Sequence, residues 1–175
     1  MRPVKKKGKK HARTENRALG LARHEWVFLA KFAAFFSVPY ALLHVLDLRL
    51  LTQPIASFES AFFNAAGVPS SAAASIIFAA GREFEIIPDC TGLVMVILLF
   101  ALLWSTPIEE KRRRPFFAAG SIFLLAFNLA RLFFTLWAGV AWGNAALEAV
   151  HVALWFVDSA VVLAVWAVAA EPRIR

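Results

Sequence analysis

The chain has 175 residues, of which 60% are hydrophobic and 14% aromatic. That is more apolar surface than a domain of this size has interior to hide, which argues against a freely soluble globule and for a bilayer as solvent. The net charge of +7 is concentrated, with nine of the 19 Lys and Arg residues in positions 1–25 and four more at 111–114; both clusters abut apolar segments, so the positive-inside rule explains them without a nucleic-acid partner.

Residues 1–25 read as a basic cytoplasmic leader, disordered or helical at its end. The first apolar segment, 26–46, has 21 residues, enough at about 1.5 Å each to cross a hydrocarbon layer of roughly 30 Å. It is too long for a signal-peptide core and shows no small-x-small cleavage site, so it reads as an uncleaved anchor. In 54–67, Ile55, Phe58, Phe62 and Phe63 recur along one side at helical spacing, which fits an interfacial or re-entrant helix. Residues 75–88 carry β-branched ends around Gly81-Arg82 and alternation in Glu83-Phe84-Glu85-Ile86, the pattern of a β-hairpin that Pro88 stops. A short second span covers 91–105 and ends at Thr106-Pro107. Pro115 opens a third that reaches about 137, Gly139 and Gly143 mark a turn, and a fourth covers 150–170, followed by a cytoplasmic tail at 171–175. The expected architecture is an all-α integral membrane bundle of about four transmembrane helices, with 26–170 as one membrane-embedded catalytic domain that carries the interfacial helix and a small extracytoplasmic hairpin.

Charge sets the expected orientation. With residues 1–25 inside the cell, four spans also place 107–114 and 171–175 inside, where the other basic clusters lie. The external segments 47–90 and 138–149 then hold only Arg49 and Arg82 as bases, against Asp47, Glu59, Glu83, Glu85, Asp89 and Glu148. Both termini are expected in the cytoplasm of a multi-pass cell-membrane protein.

The reactive groups gather at the outer leaflet. Cys90, the single cysteine, rules out an internal disulfide and a Cys-based zinc site. It precedes span two, where Asp89 or Thr91 can cap the helix and the helix dipole favours a thiolate. Arg131 is a charge within span three, which needs a partner or a purpose; counted from Pro115 it lies about 24 Å up the helix, with Asn128 one turn below on the same face. A structural ion pair to Asp158 or Glu59 is the plainer reading of Arg131. His151 opens span four, and Glu148 precedes it by three residues, able to orient the ring. His44 and Asp47, one turn apart, either join this site or mark the interface. Asp158 lies about 10 Å too deep to touch His151. A thiolate, an imidazole and a guanidinium suffice for acyl transfer: Cys90 as nucleophile, His151 as general acid and base, Arg131 stabilising the oxyanion. No metal cluster, Gly-rich phosphate loop or nucleotide signature is visible, so neither metal nor cofactor is expected.

The order "PDCTG" entering one span, "NLAR" in the next and a histidine opening the last resembles the archaeosortase/exosortase family over roughly 26–170. The family consists of integral membrane transpeptidases that are similar to sortases in chemistry but not in fold. The resemblance implies catalytic Cys90, Arg131 and His151. It also implies protein substrates ending in a short motif, one transmembrane helix and a basic tail, cut at the outer interface and passed to a lipid or other surface acceptor. Two rivals stand beside it: an intramembrane protease that uses water alone, and a non-enzymatic transporter or assembly factor in which Arg131 and Asp158 form a structural or ion-path pair.

Overall fold

The computed structural model describes residues 7–171, with side chains from Arg23 onward. The start of the basic leader, 1–6, and the tail residues 172–175 lie outside the described residues. The chain order is α1 (Lys7–Val45), α2 (Arg49–Ala65), three short strands β1 (Ser70–Ala73), β2 (Ile76–Ala79) and β3 (Arg82–Glu85), a 3-10 turn (Pro88–Thr91), α3 (Leu93–Ser105), α4 (Glu110–Trp142) and α5 (Asn144–Ala170).

Three of these elements are long and apolar enough to cross a membrane: Arg23–Val45 of α1, α4 and α5. Large apolar side chains stay uncovered along them, among them Trp26, Ile122, Phe134 and Phe156; with no interior to bury them, lipid is their fitting solvent. The protein is a mostly helical membrane protein. The expected second span is α3, whose 13 residues reach only about 20 Å, two thirds of a hydrocarbon layer.

Several boundaries differ from the sequence expectation. Pro115 lies inside α4, which begins five residues earlier at Glu110. A proline in the second turn forfeits only one ladder bond near an end where donors are already unpartnered. Gly139 does not mark a turn: it lies within α4, where an added Cβ would come 2.7 Å from Leu147 and 3.0 Å from Phe84. Its missing side chain lets α5 and β3 approach the helix. The turn is Gly143 alone, and α5 starts at Asn144, not at 150.

The expected hairpin is a three-stranded antiparallel sheet in the order β1-β2-β3. The hairpin expected over 75–88 is present and pairs Ile76 with Glu85 and Ala79 with Arg82; its turn is Ala80-Gly81, both at positive φ, one residue before the expected Gly81-Arg82. The additional strand β1 pairs Ser70 with Ala79 and Ala73 with Ile76. Asn64 at the end of α2 fixes it, exchanging hydrogen bonds of 2.9 Å with the Ser70 backbone in both directions. The sheet's turn reaches the α4–α5 turn, where Arg82 donates to Asn144 Oδ1 at 3.2 Å.

The expected apolar side of α2 is split. Thr52, Ala56, Glu59, Ser60 and Phe63 form its buried face, while Phe58 and Phe62 remain exposed. Phe63 alone of the expected four is fully buried, because it packs against Phe133 and Trp137 of α4.

Two apolar clusters stack along the bundle. One joins Ala56, Phe63, Ile77, Phe84 and Ile86 to Leu132 and Leu136 of α4. The other joins Met95, Leu99 and Leu103 of α3 to Leu124 of α4 and Val162 of α5. Between Leu124 and Leu132 on α4 the buried residues are Asn128 and Arg131, and Asp158 of α5 is buried near them. A polar layer thus separates the two cores.

Candidate active site

Cys90 is held by a turn that local chemistry dictates. Pro88 fixes φ at the first position of the 3-10 turn. The Cys90 N–H donates to Ile87 O at 2.9 Å, and Thr91 Oγ1 donates to Pro88 O at 2.6 Å. Thr91 Oγ1 also faces the Leu93 N–H at 3.4 Å, so Thr91 and not Asp89 meets the start of α3. Gly92 joins turn to helix with φ +81°, and a Cβ there would lie 2.9 Å from Asn128 Cβ. Both the backbone angle and the close approach require glycine.

From this turn a chain of contacts runs through two other helices. Asn128 Nδ2 donates to the Cys90 carbonyl oxygen at 2.8 Å. Asn128 Oδ1 accepts from Arg131 Nη1 at 3.2 Å. Arg131 Nη2 lies 3.3 Å from His151 Nδ1, and Arg131 Nε lies 3.0 Å from Asp158 Oδ2. Asn128 is fully buried, Arg131 is 6% exposed and Asp158 4%. A guanidinium has only donors, so the His151 Nδ1 in this contact is an acceptor and the ring proton resides on Nε2. The Nε–Oδ2 contact to Asp158 is an ion pair without hydrogen-bond alignment, since among the described residues Arg131 Nε has no hydrogen-bond partner.

Cys90, Asn128, Arg131 and His151 belong to one contiguous network. His151 lies about two turns inside α5, not at its start, because the helix begins at Asn144. Glu148 is exposed, and among the described residues it makes no hydrogen bond to the His151 ring; Arg131 orients that ring instead. Asp89 points away from α3 and faces His44, with Nε2 and Oδ1 3.5 Å apart and both side chains half-exposed. The His44 Nδ1 lies 3.0 Å from Tyr40 O, the previous turn of α1. His44 therefore adjoins the cysteine turn, while Asp47 contacts Arg49. Of the two carboxylates considered for Arg131, Asp158 is the partner. Glu59 is buried elsewhere, and among the described residues its Oε2 has no hydrogen-bond partner.

The environment of the thiol reverses one expectation. Burial pushes the Cys90 thiol above the usual cysteine range; the Ile87 backbone and the Arg131 guanidinium act in the opposite direction, and Asp89 adds to the rise. Desolvation outweighs the helix dipole because α3 starts three residues later and Cys90 packs against the sheet-side apolar cluster. Cys90 thus rests as a thiol and not as the thiolate that the helix dipole would favour. Burial likewise raises Glu59 to about 7. Among the described residues no cluster of His, Cys, Asp and Glu could hold a metal ion.

Comparison with known proteins gives one finding. The profile of the transmembrane exosortase family matches residues 18–170. No curated protein and no solved structure matches the chain. The match contains the cysteine turn, all three membrane-length helices from Arg23 onward and the polar layer between them. The chain belongs to the transmembrane exosortase family, a family of cysteine-type membrane peptidases and transpeptidases.

Proposed function

We propose that the protein is a membrane-embedded cysteine transpeptidase that cleaves a C-terminal sorting signal at the extracytoplasmic interface and transfers the upstream protein to a lipid or other surface acceptor. The observation that carries this reading is the unbroken contact path from the Cys90 carbonyl through Asn128 and Arg131 to the His151 ring. It joins the backbone of the cysteine-bearing turn to a fixed cation and a proton carrier from two helices. The basic segments at 1–25 and 111–114 support a cytoplasmic location for that end of the bundle, which leaves Cys90 outside.

In this reading Cys90 Sγ attacks the scissile carbonyl carbon, and its proton passes to His151 Nδ1, which gives up its contact with Arg131 Nη2 to accept it. The C–S bond forms, and the negative charge on the carbonyl oxygen is met by Arg131, whose pairing in a desolvated layer keeps it in place. The C–N bond then breaks and the leaving amine takes the proton from His151. An acceptor hydroxyl or amine gives its proton to His151, adds to the thioester and expels the Cys90 thiolate. Water in the same role would give a free acid. A substrate tail anchored by one helix would bring its scissile bond to the depth of Cys90.

The test is co-expression with a protein ending in motif, helix and basic tail. Cys90→Ala should leave the precursor uncleaved at unchanged enzyme abundance. Normal processing by that variant would end the reading, and a product that is always a free acid would end its transfer step. The buried Arg131–Asp158 pair favours one competing reading, a non-enzymatic membrane protein. It would be supported by Arg131 and Asp158 variants that change abundance together and leave processing untouched.

A further inference from the structure

At the end of α3 remote from Cys90, a cavity of about 190 Å³ opens between α1, the α3–α4 connection and α4. His24, Lys31 and Arg113 line it together with Ser105, and Phe28 and Trp104 supply apolar wall. Among the described residues, no carboxylate lines it. Among the described residues, two buried polar atoms here lack partners: the hydroxyl of Ser105, which is only 7% exposed, and Arg113 Nε. The Arg113 guanidinium is held 4.9 Å over the Trp104 ring.

Lys31 sharpens the question. It sits in the apolar stretch of α1, two turns beyond Arg23, and among the described residues it makes no salt bridge. A cation within a span is expensive unless something anionic meets it. Ammonium, guanidinium and hydroxyl groups all donate, and the wall offers them no carboxylate acceptor. The missing component is an anion with several oxygen atoms. The neighbouring surface is apolar and uncovered, with Trp26 and Val27 exposed, so the ligand that reaches this cavity comes from the lipid phase.

We infer that this cavity is a binding site for the phosphate headgroup of an anionic phospholipid in the leaflet at that end of the bundle. A phosphate oxygen meets Lys31 and Arg113, Ser105 donates to another, and the acyl chains follow the apolar walls between α1 and α4. This site is separate from the polar layer around Arg131, about 20 Å away along α3.

The experiment uses the full chain in neutral detergent, with retained lipid counted by native mass spectrometry. Phosphatidylglycerol is compared with phosphatidylcholine of the same chains. One phosphatidylglycerol is expected to be retained at least about fivefold over phosphatidylcholine. Arg113→Gln and Lys31→Gln should each reduce it about fivefold, and Arg114→Gln, outside the cavity, should not. Equal retention of the two lipids, or an equal loss with Arg114→Gln, would overturn the site. Should Arg113→Gln lose its fold with the Trp104 contact, Lys31→Gln decides, because Lys31 is exposed and carries little packing; undiminished lipid retention in that variant also overturns the proposal. Inorganic phosphate should neither displace the lipid nor raise the melting temperature as phosphatidylglycerol does. Matching stabilisation by phosphate would assign the cavity to a soluble anion and refute the lipid.

Discussion

Asn128→Ala tests the junction of the polar layer. The side chain is fully buried, donates to the Cys90 carbonyl at 2.8 Å and accepts from Arg131 at 3.2 Å. Truncation leaves a carbonyl oxygen and a guanidinium N–H without these partners. A neutral buried group left unpaired costs about 1–3 kcal/mol, and one bonded to a charge somewhat more. Partial relaxation and water entry from the half-buried Cys90 side lower the sum, so a loss of about 2–4 kcal/mol is expected. The cysteine turn and the guanidinium also lose their common anchor, so processing of a tail-anchored substrate should fall by more than tenfold. Chemical unfolding in detergent reads the first effect and precursor accumulation in cells the second. Asn128→Asp separates them: it keeps an acceptor for Arg131 but lacks the donor for Cys90 O, and should lose processing with less loss of stability. An Asn128→Ala protein that is as stable and as active as the parent would refute the junction.

Three further outcomes follow from the geometry. Gly92→Ala combines a left-handed backbone with a Cβ 2.9 Å from Asn128, so a loss of about 2–4 kcal/mol is expected, and wild-type melting behaviour would contradict it. Glu59 has its carboxyl raised from 4.5 to about 7 by burial. The folded state holds that proton more tightly than the unfolded chain, so its stabilisation is complete below pH 4.5, falls as pH rises and is gone above about 7, a change of roughly 3 kcal/mol. Glu59→Gln should flatten this slope and stabilise the protein at pH 8, and an unchanged pH profile would rule the account out. The raised Cys90 thiol predicts slow alkylation by iodoacetamide at pH 7, slower than a free thiol, with a rate that climbs about tenfold per pH unit beyond pH 8; a rate that is already at its plateau at pH 7 would contradict the burial.

The apolar helices are legible because long hydrophobic runs are written in composition. The 26–46 segment ends within a residue of α1, and the expected 91–105 span differs from α3 by two residues at its start. What composition hid was backbone pairing. Ser70–Ala73 forms β1 although small residues carry no strand signal, because Asn64 and the neighbouring β2 supply its hydrogen bonds. In sequence Gly139 reads as a turn, because an isolated glycine near a span end looks the same whether it breaks a helix or admits a neighbour. The contact partners were less legible still. Arg131 requires a carboxylate and the sequence offers Asp158 and Glu59, but which of them meets it depends on the rotation of α5 against α4. The place of His44 beside Asp89 depends on how α1 packs on α3, which no local pattern encodes.

The most direct measurement is the intact mass of the enzyme after acid quench during turnover of a synthetic sorting signal. The account predicts a hydroxylamine-sensitive adduct equal in mass to the upstream fragment as an acyl group, located on the peptide that contains Cys90 and missing from Cys90→Ala. Cleavage that proceeds with no such adduct, or an adduct that survives in Cys90→Ala, would contradict it.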